Sequence, residues 1–269
     1  MIDPFWLLFA AKLALAAGIV VAASLLVERS GPVLGAMIAT LPISVGPAYV
    51  FLAMEHDAGF IAGSAVASLA VNTATAVFLT LYSLLARSRS LAVSLPLGLL
   101  GWAGMAAAVS RVDWTLPGAV ALNLIVFAAC LPIALRGLAA TPPVRAAGRR
   151  WDIPARAAAV TGLIAAVLLI GRALGPAAAG FAALAPVVTG SLALLLHPRI
   201  GGPATAAVFA NALIGMVGYV PALALLHLAA VPLGSAAALC LALAACVLWN
   251  AAMLALRGRR RPLTPQPQD

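Results

Sequence analysis

The chain has 269 residues, of which 64% are hydrophobic and 9% are charged, and its formal net charge is +9. A soluble chain of this length carries about a quarter charged residues, because its outer surface needs polar groups. The composition therefore excludes an ordinary soluble protein and predicts an all-α integral membrane protein. The positive charges lie in short segments between apolar runs, which is typical of topology determinants rather than of a nucleic-acid-binding surface.

Apolar runs long enough to cross a membrane, about 20 residues each, follow one another along the whole chain. We predict about nine spans, at residues 5–27, 32–54, 58–86, 92–110, 115–136, 157–174, 175–196, 203–229 and 232–256. The first run is not preceded by a basic region and is not followed by a cleavage site. We therefore expect a retained helix rather than a signal peptide. The eighth span is long, and Pro221 is expected to kink it.

Arginine-rich segments follow the third, fifth and ninth predicted spans. They contain Arg87 and Arg89; Arg136, Arg145, Arg149 and Arg150; and Arg257, Arg259, Arg260 and Arg261. With nine spans, all three segments fall on one side of the membrane, which the positive-inside bias makes cytoplasmic. This pattern predicts a multi-pass protein of the cell inner membrane with its N-terminus outside and its C-terminus in the cytoplasm.

The chain also aligns with itself. Residues 11–42 match residues 155–186 without gaps, pairing Gly18 with Gly162, Gly31-Pro32 with Gly175-Pro176, and Pro42 with Pro186. The alignment predicts a first four-helix repeat at 1–110, a connecting helix and basic loop at 111–150, a second repeat at 151–256 and a cytoplasmic tail at 257–269. Because one helix connects the halves, the second repeat is inverted, giving a 4+1+4 arrangement.

In span number and symmetry the chain resembles the general class of small bacterial inner-membrane transporters with inverted repeats. The resemblance implies a secondary permease or exporter that moves a small polar or anionic solute by alternating access. Its expected partners are membrane lipids and a small-molecule substrate, with no nucleic acid, and the sequence allows a homodimer. Two alternatives stay open: a non-transporting membrane partner subunit, and a lipid-handling protein in which Arg29, Arg172 and Arg199 bind phosphates.

Spans two and seven share a Gly/Pro pattern that predicts an interruption at equivalent places, near Pro42 and Pro186, because proline removes a backbone donor. A half-helix that begins at mid-depth presents free N–H groups to a solute. Hydroxyl groups surround both places. The candidate substrate-binding residues are Thr40, Pro42, Ser44, Pro186, Thr189 and Ser191. The competing explanation is that glycine and proline are common in spanning helices and allow close packing.

Asn72 and Asn211 occupy equivalent places in spans three and eight, and we add both to the candidate substrate-binding residues. An amide in hydrocarbon needs partners, so both side chains are expected to face the protein interior. The alternative role is interhelical hydrogen bonding, which fits Asn123 and Asn250 better than substrate binding does.

Lys12, Glu28, Arg156 and Arg172 are candidate gating residues. Inversion places Lys12 and Arg172 towards the outside, and Glu28 and Arg156 towards the inside. A gate could pair Glu28 with Arg156 on one side while Lys12 and Arg172 attract an anion on the other. The competing explanation is that these long side chains extend to a nearby membrane surface.

Chemistry-bearing motifs are missing from the sequence. It contains no nucleophile elbow, no Gly-rich phosphate loop and no metal-binding helix motif. The three cysteines lie in apolar runs without the spacing of metal ligands. We therefore expect no enzymatic activity, no metal ion and no cofactor.

Overall fold

A computed structural model describes residues 4–29, 45–136 and 151–259, and these residues form helices joined by short connections. The helices are α1 (Pro4–Arg29), α2 (Val45–Glu55), α3 (Ala58–Leu85), α4 (Leu91–Val109), α5 (Leu116–Leu135), α6 (Asp152–Ala183), α7 (Val187–Val217), α8 (Tyr219–Leu233) and α9 (Ser235–Arg259). The predicted all-α class is confirmed for this part of the chain.

Five helical stretches within the described ranges are apolar and long enough to cross a membrane. They are Ala58–Leu85, Leu91–Val109, Leu116–Leu135, Asp152–Leu233 and Ser235–Leu256. The third, fourth, fifth and ninth predicted spans agree with helices in this set to within about three residues. Composition and helix length together indicate a membrane-embedded protein.

Helix α3 lies at the centre of the bundle and packs against α2, α4, α5, α6, α7 and α8. Every residue from Ser64 to Ala76 is buried. Its first turn is capped by Asp57, whose Oδ1 accepts a hydrogen bond from the Phe60 amide at 2.8 Å. By contrast, few side chains of α4 and α9 are buried, as is typical of helices that face lipid.

Helix α6 folds back on itself at Gly175. This residue has φ 84° and ψ −171°, a conformation that side-chain-bearing residues rarely adopt, and Pro176 follows it. A Cβ atom on Gly171 would lie only 3.1 Å from the Cβ of Ala179. Residues eight apart in a straight helix are separated by about 12 Å. Residues 152–174 and 176–183 are therefore two separate helical segments, and they meet where the seventh span is predicted to begin.

Helical geometry stops a second time between Ala183 and Val187, at residues that we call the 184–186 break. Pro186 has φ −78° and ψ 38°, and regular helix resumes at Val187 and continues to Gly201, where φ is 80°. Proline cannot continue the preceding helix because its ring clashes with the turn before it. The predicted interruption of the seventh span is thus observed, whereas the corresponding residues near Pro42 lie outside the described part of the chain.

The interrupted segment, residues 176–200, follows α3 along nearly its whole length. Successive contacts join Gly63 to Pro176, Ser68 to Gly180, Thr75 to Leu184 and Tyr82 to His197. Both members of each pair advance together along the chain, so the two elements run parallel. The 184–186 break therefore lies beside the middle of the most buried helix.

Two ends of the bundle can be distinguished by their charged residues. At the Arg87 end, the Arg87 guanidinium donates to the carbonyl oxygens of Ala134, at 2.6 Å, and of Arg136. The last carbonyl groups of a helix lack partners within it, so Arg87 fastens the end of α5 to the end of α3. The opposite end, where α2 meets α3, contains Lys12 and is called the Lys12 end.

The eighth predicted span is interrupted in the turn just before Pro221, the turn that a proline disrupts. The regular helix is interrupted at Gly218, between α7 and α8, and Pro221 lies in the first turn of α8. A proline in the first turn costs little, because the N–H group that it lacks has no partner within the helix. At Gly218, a Cβ atom would lie 2.5 Å from the indole of Trp249, so this position needs a residue without a side chain.

Candidate functional site

Polar side chains of α3 line the side of the helix that faces the 184–186 break. Ser68, Asn72 and Thr75 are each 4% exposed or less. Together with Ser64 they are spaced by three or four residues, so they form one stripe along α3. This spacing is a sequence signal that identifies the stripe, although our sequence prediction singled out only Asn72 as a site residue.

Thr75 forms a hydrogen bond to the backbone at the 184–186 break. Its hydroxyl donates to the carbonyl oxygen of Leu184 at 3.0 Å. Leu184 ends the helical segment that precedes the break, and terminal carbonyl groups need partners from outside their own helix. Thr75 therefore stabilises the break from a neighbouring helix.

Ser68, about two turns before Thr75 on α3, connects three elements. Its hydroxyl donates to the Gly180 carbonyl oxygen at 2.8 Å and lies 2.7 Å from the Tyr49 hydroxyl on α2. Since Ser68 donates its proton to Gly180, Tyr49 donates to Ser68. The predicted site did not include Ser68 or Tyr49.

Asn72 lies fully buried beside Asn123 on α5. Its Nδ2 donates to the Asn123 Oδ1 at 2.9 Å and approaches the Met216 carbonyl oxygen at 3.4 Å. Asn123 donates in turn to the carbonyl oxygens of Leu69 and Ala119. The Asn72 Oδ1 has no hydrogen-bond partner among the described residues. A buried acceptor without a donor is costly, and it is an atom to which a bound solute could donate.

The expectation that Asn211 faces the interior is wrong. Its side chain is exposed on α7, and its Nδ2 donates to the Ala207 carbonyl oxygen of the same helix at 2.8 Å. An amide in a helix can donate to the carbonyl four residues earlier while its side chain stays exposed. The structure therefore does not bring Asn211 to Asn72.

Three predicted residues lie at or just after the break. Pro186 ends it, and the hydroxyls of Thr189 and Ser191 donate to the carbonyl oxygens of Pro186 and Val188, at 3.2 and 2.7 Å. Both hydroxyls are partly buried. Their predicted counterparts in the first half lie outside the described residues: Thr40, Pro42 and Ser44.

Two of the four predicted gating residues meet at the Lys12 end. The Lys12 Nζ lies 2.6 Å from the Glu55 Oε1, and Arg172 lines the same cavity. The side chains of Glu28 and Arg156 lie outside the part of the structure that is described, so their predicted pairing stays a prediction. The sequence prediction did not identify Glu55 as the partner of Lys12.

A second ion pair lies at the Arg87 end. Both terminal nitrogens of Arg199 contact the Asp152 carboxylate, a bidentate arrangement that favours a planar guanidinium. Arg199 was predicted as a phosphate-binding residue in the lipid-handling alternative. Here it joins the last turn of residues 187–200 to the first turn of α6.

A cavity of about 890 Å³ reaches the break from the side of the bundle. Its wall is formed mainly by apolar residues of α6, together with Trp102 of α4 and with Ala185 and Val187 at the break. Within the described ranges, no three His, Cys, Asp or Glu side chains come together as metal ligands would.

The chain matches no family model, no curated protein and no solved structure. The function must therefore be argued from the break, its buried polar stripe and the charged residues at the two ends.

Replacing Thr75 with valine is expected to destabilise the protein by about 1–2 kcal/mol, because the Leu184 carbonyl oxygen loses its donor. Thr80→Val is the matched control. Thr80 is equally buried on α3, but its hydroxyl donates to Ala76 of its own helix. The melting temperatures of both variants in detergent check the prediction. Equal losses would contradict the assigned role of Thr75.

Proposed function

We propose that this protein is a multi-pass membrane transporter, a secondary permease or exporter, that moves a small polar or anionic solute by alternating access. The observation that carries the proposal is the interruption of residues 176–200 at mid-length beside buried polar side chains of α3. Irregular backbone at membrane depth is tolerated only where protein buries it or where it lines a cavity. Interrupted helices of this kind form the substrate sites of many secondary transporters.

Nine membrane crossings arranged as 4+1+4 agree with the helix geometry. The stretch Asp152–Leu233 would be about 120 Å long as one straight helix, roughly four times the thickness of the hydrocarbon core. The positive-φ residues Gly175 and Gly201 divide it into three segments, each long enough for one crossing. With α9 these segments make four crossings in the second half.

Helix packing supports two related halves. The pairs α3–α4 and α8–α9 are equivalent in the predicted repeat, and both pairs are in contact. Helix α4 packs on α7 and α9 packs on α2, which are also equivalent contacts when the halves are exchanged. Helices α1 and α6, the first of each half, pack on each other.

The proposed substrate site lies at the break, formed by Asn72, Thr75 and residues 186–191. The two ion pairs then close the path from the substrate site to the two opposite ends of the bundle. Each joins the first helix of one half to the last turn of the second span in the same half, Lys12 to Glu55 and Asp152 to Arg199. Opening one end while the other stays closed is the requirement for alternating access.

The distribution of charge supports the proposed orientation in the cell inner membrane. The described residues at the Lys12 end include three cations and three acids: Lys12, Arg111 and Arg172 with Glu55, Asp57 and Asp113. Arginine dominates the Arg87 end, which the positive-inside bias makes cytoplasmic.

The lateral cavity favours a second candidate function, lipid handling. A volume of about 890 Å³ with a largely apolar wall suits an acyl chain, and the cavity reaches Ala185 and Val187 at the break. A lipid-handling protein would be stabilised by phospholipids and not by soluble metabolites.

A ligand screen on the purified protein separates the two functions. Amino acids, organic anions, sugars, nucleosides and phospholipids are tested for a rise in melting temperature. A ligand at 100 times its dissociation constant adds about 2.7 kcal/mol to the free energy of unfolding. We expect a soluble solute to stabilise the protein and to be taken up by proteoliposomes.

Two variants locate the site. Asn72→Leu is expected to remove the stabilisation by this solute, whereas Asn211→Leu, on the exposed face of α7, is expected to keep it. Stabilisation by phospholipids alone would contradict the transporter and favour lipid handling. If Asn72→Leu left uptake unchanged, the substrate site would have to lie somewhere other than at the break.

A further inference from the structure

Residues 176–183 form a short helical segment that is bounded at both ends by non-helical backbone. Gly175, with φ 84°, precedes the segment, and the 184–186 break follows it. The segment covers α3 from Gly63 to Thr75, which is the half of α3 between the Lys12 end and the break. Such a segment can move as one body, because only the few residues at its two ends must change φ and ψ.

The segment brings few large side chains to its contact with α3. Seven of its eight residues are proline, alanine or glycine, and Phe181 is the one large side chain. Gly180 faces α3, where a Cβ atom on it would lie 2.3 Å from the Ser64 carbonyl oxygen. Lipid is as apolar as these side chains, so the hydrophobic effect does not hold the segment on α3. Close packing and the hydrogen bonds from Ser68 and Thr75 hold it there instead.

The lateral cavity lies on the opposite side of the segment from α3. Its wall includes Ala178, Phe181 and Ala182. Ala178 and Ala182 are two residues before and two residues after Gly180, which places them about 160° around the helix from it. The segment therefore has α3 on one side and a cavity of about 890 Å³ on the other. This cavity leaves room into which the segment can move away from α3.

Ser64 is a polar residue that the segment covers. Its side chain is fully buried, its carbonyl oxygen lies against Gly180, and its hydroxyl has no hydrogen-bond partner among the described residues. Buried hydroxyls are paired in most folded proteins, because burial without a partner is costly. Movement of the segment away from α3 would expose Ser64 and Ser68 to water or to a solute, so the Ser64 hydroxyl would then gain a partner.

We infer that residues 176–183 are a gate between the Lys12 end and the substrate site. The inference rests on the proposed transport function and names its moving element. In the closed state the segment covers Ser64 and Ser68, and the hydroxyls of Ser68 and Thr75 hold it on α3. In the open state the segment moves into the lateral cavity, and the solute passes along the polar stripe of α3 to the break.

Thiol labelling of a reporter cysteine that the segment covers tests the gate. The reporter is Ser64→Cys in a full-length protein whose three native cysteines are replaced by alanine. The probe is a charged, water-soluble methanethiosulfonate reagent applied to proteoliposomes. We expect slow labelling that Thr75→Val accelerates about fivefold, because one hydrogen bond that holds the segment is lost. Thr80→Cys is the matched control reporter, buried on α3 but beyond the segment, and its labelling rate should not change.

Equal acceleration of both reporters by Thr75→Val would overturn the inference, because unfolding of the whole protein would then explain the labelling. An unchanged rate at Ser64→Cys would also overturn it.

A disulfide between the segment and α3 tests the gate in a second way. A Cβ atom on Gly63 would lie 3.4 Å from the Pro176 Cβ, close to the range of about 3.5–4.5 Å in native disulfides. Gly63→Cys with Pro176→Cys, in the protein without native cysteines, should therefore form a disulfide on oxidation and hold the segment on α3. We expect oxidation to abolish uptake and dithiothreitol to restore it, so the reduced protein is its own control.

The two experiments separate the gate from the transport function. Undiminished uptake with the disulfide formed would overturn the gate and leave the transporter standing. Labelling of Ser64→Cys that responds to Thr75→Val, without uptake of any solute by the parent protein, would leave the moving segment standing and overturn the transporter. Because labelling requires no uptake, it decides the inference even if the reduced cysteine pair is inactive.

Discussion

Replacing Gly180 with alanine is expected to destabilise the folded protein by about 3 kcal/mol or more. A Cβ atom at this position would lie 2.3 Å from the Ser64 carbonyl oxygen and 2.8 Å from the Ala67 Cβ. The first of these atoms belongs to the backbone of α3, which cannot move aside as a flexible side chain does. The alanine would therefore push residues 176–183 away from α3 and break the hydrogen bond from Ser68.

Gly162→Ala is the matched control for this prediction. Gly162 lies in the same helix α6, and nothing lies within 4 Å of the position that its Cβ would take. Alanine favours helix over glycine by about 1 kcal/mol, so this variant should be as stable as the parent protein or more stable. Melting temperatures of the two variants should therefore change in opposite directions. A tolerated Gly180→Ala would mean that residues 176–183 do not contact α3 as described.

The second large effect is expected at the pair of Asn72 and Asn123. Either single replacement by leucine leaves a buried amide without its partner, and we expect each to cost about 1–2 kcal/mol. Replacing both removes the donor and the acceptor together. The double variant should therefore be more stable than the sum of the two single losses predicts, and melting temperatures of the four proteins measure this coupling.

The same double variant separates a structural role from a role in substrate binding. If the two amides only hold α3 to α5, the apolar pair should preserve both folding and solute uptake. If Asn72 binds the solute, as we propose, uptake should be lost while stability recovers. Additive losses of stability, without coupling, would show that the two amides do not depend on each other.

The interruption near Pro186 could be predicted because a local cause produces it. Proline and glycine change the backbone wherever they occur, so the repeated Gly/Pro pattern indicated where the helix stops. The same rule fits Pro221, which lies three residues after the interruption at Gly218. Proline disrupts the turn that precedes it, and at Gly218 the Trp249 indole also leaves no room for a side chain.

The partners of the predicted residues were harder to identify. Lys12 was predicted as a gating residue, but its partner Glu55 is 43 positions away, at the end of α2, whose position in space the sequence does not give. Asn72 was expected to need a partner, and that partner proved to be Asn123, which the sequence marked as structural. Pairs of this kind depend on the packing of whole helices, which no local pattern encodes.

The turn at Gly175 has a consequence for the assembly of the protein during synthesis. Residues 176–183 form a segment about 12 Å long, which is too short to cross a bilayer alone. The carbonyl group of Leu184, the residue after this segment, accepts a hydrogen bond from Thr75, which is added more than a hundred residues earlier in synthesis. Helix α3 is therefore synthesised before residues 176–183. Synthesis from the N-terminus thus supplies α3, which packs on Gly180 and donates to Leu184, before the segment that contacts it.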